Sequence, residues 1–266
     1  MKYLICNLKE NKTLNEIITY EHEIRKLPKT DTKIIVCPSH PYYICFRNNN
    51  YYLGSQDISK YNGGSYTGEV SGKQLASLGV NYSLIGHCER RAYFEENETT
   101  LISKIVNALK SGIEPIYIIG ETKEEHARGK TINVLERQIG RVLNNFSREE
   151  LKNFLIVYEP VWAVDNNEDI NKEEIKETIS FIKKIIRDYY ELELPVIYGG
   201  SVNSKNISLL MNIEEIDGVL LGKSSLDISI VKEVYENITN VDKFWQEKTR
   251  YFIVFCLFII YNEFMQ

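Results

Sequence analysis

The sequence predicts an α/β fold of the closed (β/α)8 type, held in one main domain. Two observations lead there. Eight short apolar runs recur along the chain, and segments with helical apolar periodicity lie between them. The runs do not alternate with polar residues, as expected of strands covered on both faces. Eight strands and their helices in about 235 residues match the size at which a parallel sheet closes on itself. A doubly wound open sheet is the alternative architecture.

The runs, in order, are Tyr3–Cys6, Lys33–Cys37, Tyr51–Gln56, Tyr82–Gly86, Pro115–Gly120, Phe154–Glu159, Pro195–Gly199 and Gly218–Gly222. Between them, Leu101, Ile102, Ile105, Val106 and Leu109 form one helical stripe, with Gly112 as its stop signal. Ile175, Ile179, Ile182, Ile185 and Ile186 form another. No interdomain linker, short repeat or low-complexity tract interrupts the pattern.

The bulk numbers narrow the function classes. The chain has 266 residues, a net charge of −5, 43% apolar and 26% charged residues. A nucleic-acid binder usually carries a basic stripe, and none is present. The five cysteines are Cys6, Cys37, Cys45, Cys88 and Cys256, an odd number without metal-ligand spacing. A reducing, cytoplasmic location is expected. The apolar stretch before Asn7 is too short for a signal peptide core.

In a closed parallel barrel the residues just past the strands build the active site. The first run ends in Asn7-Leu8-Lys9, and the fourth in Gly86-His87-Cys88-Glu89-Arg90-Arg91. The sixth ends in Tyr158-Glu159-Pro160-Val161-Trp162, which sets a carboxylate at the rim. The seventh and eighth end in Tyr198-Gly199-Gly200-Ser201 and Leu221-Gly222-Lys223-Ser224. Glycines at these ends let backbone N–H groups approach an anion, and these two loops are the usual phosphate site of such barrels. A short helix expected from about Asn203 would add a favourable dipole.

The strings IGHCERR (85–91), YEPVWA (158–163), YGGSV (198–202), YTGEVS (66–71) and DGVLLGKSSL (217–226) closely resemble the triosephosphate isomerase family, in its order and spacing. The resemblance covers roughly residues 2–238 and implies a (β/α)8 TIM barrel over residues 1–238, with 239–266 as a C-terminal extension. It implies interconversion of glyceraldehyde 3-phosphate and dihydroxyacetone phosphate through an enediolate, in glycolysis and gluconeogenesis, without metal or cofactor. By resemblance, Glu159 is the base, His87 the neutral electrophile, Lys9 the cation beside the enediolate, and Asn7 a positioner of a substrate oxygen. Glu89 orients Lys9. Ser201, Gly222 and Lys223 offer N–H groups to the phosphate, as does Asp165 when the loop after Glu159 closes. Tyr198 supports the site, and Trp162 belongs to the loop's hinge.

The chain departs from the family's pattern in that loop. A glycine-rich tip is replaced by Val164-Asp165-Asn166-Asn167-Glu168-Asp169-Ile170, with three acidic residues and no glycine. A carboxylate about 6 Å from a phosphate costs roughly 1–3 kcal/mol at an effective dielectric of 20–60. Weaker substrate binding is expected, and a relative acting on another sugar phosphate is the alternative enzyme. A weakened scaffold is the alternative of another class. Leu8, Cys88, Ile118 and Lys223 are further substitutions expected to be silent.

The resemblance also implies a homodimer. Residues 63–71 would enter a pocket of the partner, Thr67 would meet the partner's Asn7, and Glu69 would pair with the partner's Arg90. Tyr251–Tyr261 is an unbroken apolar run of eleven residues. A membrane span needs about 20, so packing on the protein or a partner is expected, with membrane contact the alternative. His22 and His126, on polar helical stretches, and His40, in a loop, are assigned no role.

Overall fold

The computed structural model describes residues 1–47, 50–163 and 171–240. Its strands are β1 Tyr3–Asn7, β2 Lys33–Cys37, β3 Tyr52–Ser55, β4 Val80–Ile85, β5 Glu114–Ile119, β6 Leu155–Tyr158, β7 Val196–Tyr198 and β8 Gly218–Leu221. Each pairs in parallel with the next, and β1 pairs with β8, so the sheet is closed rather than open. All eight expected runs are strands or flank them closely. β6 and β7 stop at tyrosines, which leaves Glu159 and Gly199 just beyond their ends.

Strand side chains alternate between two dry layers. Ile5, Ile35, Cys37, Tyr82, Leu84, Ile116, Ile118, Leu155, Val157, Ile197 and Leu220 fill the interior with Tyr3. Their neighbours, such as Leu4, Val36, Ile85, Tyr117, Ile156 and Val219, face the helices in the larger outer cluster. Continuing the interior set by two residues leads to Asn7, Glu159, Gly199 and Gly222, the open mouth of the barrel. Gly86, at φ 90°, breaks the alternation after β4. A side chain there would press on the Ile118 carbonyl and Leu101.

The helices follow from local signals. Glu98–Lys110 starts on Asn97, whose side chain accepts the Thr100 N–H, and stops before Gly112 in the left-handed region at φ 71°. Lys172–Tyr190 starts on Asn171, which caps the Glu174 N–H at 3.2 Å. Its stripe of Ile175, Ile179, Ile182 and Ile186 is buried. Residues 228–240 are also helical. Among the described residues no helix is long and apolar enough to cross a membrane. Tyr251–Tyr261, with Cys256, lies outside them.

The helix expected from Asn203 begins later, at Ile207, and ends at Met211. Asn203 opens a turn instead. Its side chain accepts the Lys205 N–H at 2.9 Å, and Asn206 accepts the Asn203 N–H at 2.9 Å while donating to the Ser201 carbonyl at 2.7 Å. Such side-chain bonds compete with helical ones and delay the helix.

A charged knot locks β3 to the helix Glu98–Lys110. Lys104, almost fully buried, pairs with Asp57 at 2.5 Å and with Glu96. Arg90 pairs with the same two carboxylates, at 3.0 and 2.6 Å. Within this chain Arg90 thus serves β3 and β4, and its guanidinium lies over the Phe94 ring.

Candidate active site

Lys9, His87, Glu159, Gly199–Val202 and Gly222–Ser224 line one cleft at the mouth of the barrel. Asn7, Glu89 and Tyr198 stand beside or beneath it without lining it, and Thr67 and Arg90 lie away from it. Thr67 is exposed on the 63–71 loop and lines a separate pocket with Tyr61, Tyr66 and Glu69. Arg90 belongs to the charged knot. Asp165, like all of 164–170, lies outside the described residues.

The carboxylate of Glu159 is 4% exposed, and the imidazole of its neighbour His87 is 5% exposed. Glu159 Oε2 accepts the Cys88 N–H at 3.0 Å. Glu159 Oε1 lies 3.2 Å from His87 Nε2. His87 caps the helix Cys88–Tyr93, its Nδ1 accepting the Glu89 N–H at 3.2 Å. A ring nitrogen that accepts a backbone N–H carries no proton, so the imidazole is neutral and its proton sits on Nε2. That tautomer puts the N–H on the nitrogen that lies 3.2 Å from the base.

His87, Cys88 and Glu159 bring donor atoms within 4.8 Å of one another, a grouping that could hold a cation. Its lone pairs are already committed: Nδ1 to Glu89 N–H and Oε2 to Cys88 N–H. The Cys88 thiol is not an available thiolate. Burial pushes its pKa up, and the Glu159 charge pushes it further.

Lys9 has a left-handed backbone, φ 50°, unusual outside glycine. Its N–H donates to Asn7 Oδ1 at 3.1 Å, and its carbonyl accepts Ser39 Oγ at 2.7 Å and Gln56 Nε2 at 2.8 Å. Its ammonium meets Glu89 Oε1 at 2.5 Å. Burial works against this charge, but the Glu89 hydrogen bond and charge outweigh it, and the pKa of Lys9 is raised. Asn7 is buried, and Ser225 Oγ donates to its carbonyl at 2.8 Å.

The opposite wall is backbone. Gly200 lies against Tyr198, where a side chain would strike the hydroxyl, and Gly222 lies against the end of Lys9. Ser224 Oγ donates to the Val202 carbonyl at 2.6 Å, tying the loops after β7 and β8 together. Tyr198 is buried beneath them.

Sequence reasoning passed over Gln56 and Glu121. Gln56 closes β3 and also donates to the Cys37 carbonyl at 2.9 Å. Glu121 follows β5 and is fully buried. Its Oε1 accepts Trp162 Nε1 at 2.7 Å, Tyr158 Oη at 3.1 Å and Thr131 Oγ1 at 3.3 Å, and its carbonyl accepts the Val161 N–H at 3.1 Å. Each is a polar residue ending an apolar run, the same signal that singled out Lys9 and Glu159.

The profile of the triosephosphate isomerase family matches residues 2–238. A triosephosphate isomerase of Colwellia psychrerythraea is 38% identical over 204 residues, 73% of this chain and 80% of its own. One of Clostridium botulinum is 37% identical over 233 residues, 83% and 92%. One of Dictyoglomus thermophilum is 35% identical over 235 residues, 85% and 94%. With the closed barrel and this cleft, the chain belongs to the triosephosphate isomerase family.

Proposed function

We propose that Glu159, His87, Lys9 and Asn7 carry the family's reaction in this chain. That reaction is the glycolytic interconversion of D-glyceraldehyde 3-phosphate and dihydroxyacetone phosphate. The observation that supports these roles is the approach of Glu159 to a neutral His87, 3.2 Å apart, beside the ammonium of Lys9.

The chemistry follows from the groups. Glu159 gives up its bond to Cys88 N–H and removes a proton from the carbon beside the substrate carbonyl. The oxygen of that carbonyl gains negative charge. The Nε2–H of His87 donates to it, and Lys9 stabilises it electrostatically. Returning the proton to the neighbouring carbon completes the isomerisation, and His87 moves protons between the two oxygens. Asn7 orients one oxygen. The phosphate is bound by backbone N–H groups of Ser201, Gly222 and Lys223, and of Asp165.

A coupled isomerase assay on the purified protein tests this, with Glu159→Gln as control. A positioned general base contributes about 10²- to 10⁴-fold, so turnover should fall by that order with KM little changed. Equal turnover in the two proteins removes Glu159 as the base.

We read the protein as a cytoplasmic homodimer joined through residues 63–71. The support is exposure: Tyr66 is 42% exposed and Thr67 is also exposed, on a glycine-rich loop. Light scattering at micromolar concentration should report twice the chain mass, and a monomer removes this reading.

A further inference from the structure

Glu159 stands between two residues that reach the same buried carboxylate. Tyr158 before it and Trp162 after it both donate to Glu121 Oε1, and Val161 N–H donates to the Glu121 carbonyl. The backbone that carries the base is therefore held on both sides by one residue of another strand end.

His126 covers this arrangement from outside. It lies in the short helix Lys123–Ala127, and its ring stacks on Trp162 with centroids 4.0 Å apart and planes 18° from parallel. Its Nδ1 is buried without a hydrogen-bond partner, and so is Glu121 Oε2. The same Nδ1 lies 3.6 Å from Glu121 Oε1 and 3.6 Å from Glu174 Oε1, in the first turn of Lys172–Tyr190. No N–H donates to this Nδ1, unlike that of His87, and two carboxylates flank it, so the proton belongs on Nδ1, as an N–H between them.

We propose that His126 is a positioning residue for Glu159. It holds the Trp162 indole by stacking, and its Nδ1–H stands between the Glu121 and Glu174 carboxylates as an electrostatic contact, 3.6 Å from each. One side chain thereby ties the segment leaving the base to the end of β5 and to the start of the helix Lys172–Tyr190. The sequence reading gave His126 no role, because it lies on a polar helical stretch. The proposal rests on Glu159 being the base. His126 does not line the substrate cleft, so its loss should be felt in the chemical step and not in substrate affinity.

Three substitutions separate the two contacts. His126→Phe keeps a flat ring on the indole and removes the N–H. A misplaced base is costly even for small shifts, so kcat should fall by about 5- to 10-fold with KM within about 2-fold. His126→Asn puts a donor back where Nδ1 stands and should recover most of kcat. Phe and Asn variants that both match wild-type kcat overturn the proposal, and so does a loss that appears in KM alone.

His126→Ala exposes the indole face. The chain has two tryptophans, so a Trp245→Phe background reports Trp162 alone. Acrylamide quenching of Trp162 should rise by about 2-fold in His126→Ala, as expected when one face of a stacked ring opens to solvent. Unchanged quenching overturns the stacking contact. This measurement needs no turnover, so a failure of the isomerase reading and a failure of this one are told apart.

Discussion

The amide of Gln56 donates to the carbonyl of Lys9 at 2.8 Å, and so helps fix a lysine in the left-handed backbone region. Ser39 Oγ donates to the same carbonyl at 2.7 Å. Strained backbone of this kind costs about 1–3 kcal/mol and persists only where the surroundings enforce it. Gln56→Leu removes the donor and leaves the Lys9 and Cys37 carbonyls each one bond poorer. It should lower kcat/KM by about 10-fold, as a displaced charge does in a preorganised site. Steady-state kinetics reads this directly.

Glu89 keeps Lys9 protonated against the pull of burial. In Glu89→Gln the desolvation remains and the counter-charge is gone, so Lys9 loses its proton at lower pH. The alkaline limb of kcat/KM should therefore move to lower pH than in wild type. A pH–rate profile with an unmoved alkaline limb would show that Glu89 does not govern the charge of Lys9.

The knot of Lys104, Arg90, Asp57 and Glu96 should fail as a unit. Lys104→Met leaves two buried carboxylates facing one guanidinium. Breaking a buried pair by removing one partner costs about 3–5 kcal/mol. Urea unfolding should show a loss of that size, with little change in KM for protein that remains folded.

Acid should loosen the seam between the first helix, Leu14–Ile24, and the helical residues 228–240. Lys232 and Lys26 each bond Glu23 at 2.6 Å and hold its carboxyl down at about 2. A depressed carboxyl contributes stability above its unfolded value, near 4.5, and loses it as the pH falls toward about 2. Stability should drop across that interval, and Glu23→Gln should flatten that part of the curve. Urea midpoints measured from pH 6 to 2 decide it.

The barrel was legible because its strands are short, apolar and punctuated, and because Asn7, Lys9, His87 and Glu159 each interrupt or end such a run. Tertiary partners were not legible. Nothing local in Gln56 says that it will reach Lys9, nor in His126 that it will lie flat on Trp162, 36 positions later. Those contacts arise from closure of the sheet, which brings the ends of β1 and β3, and of β5 and β6, to one rim. The delayed helix at Ile207 was missed because Asn203 and Asn206 bind backbone groups that a helix would have used.

The two-residue alternation that fills the barrel also has a consequence for how this chain can change. Asn7 and Glu159 point into the mouth because they share parity with Ile5 and with Leu155 and Val157. Swapping one interior side chain for another leaves that parity alone. Inserting or deleting a single residue within β1 or β6 reverses it, turning the amide or the base toward the helices. Variation in length is thus confined to the stretches outside the strands. Within them the reading frame of the strand matters to the site as much as the identity of the residue at its end.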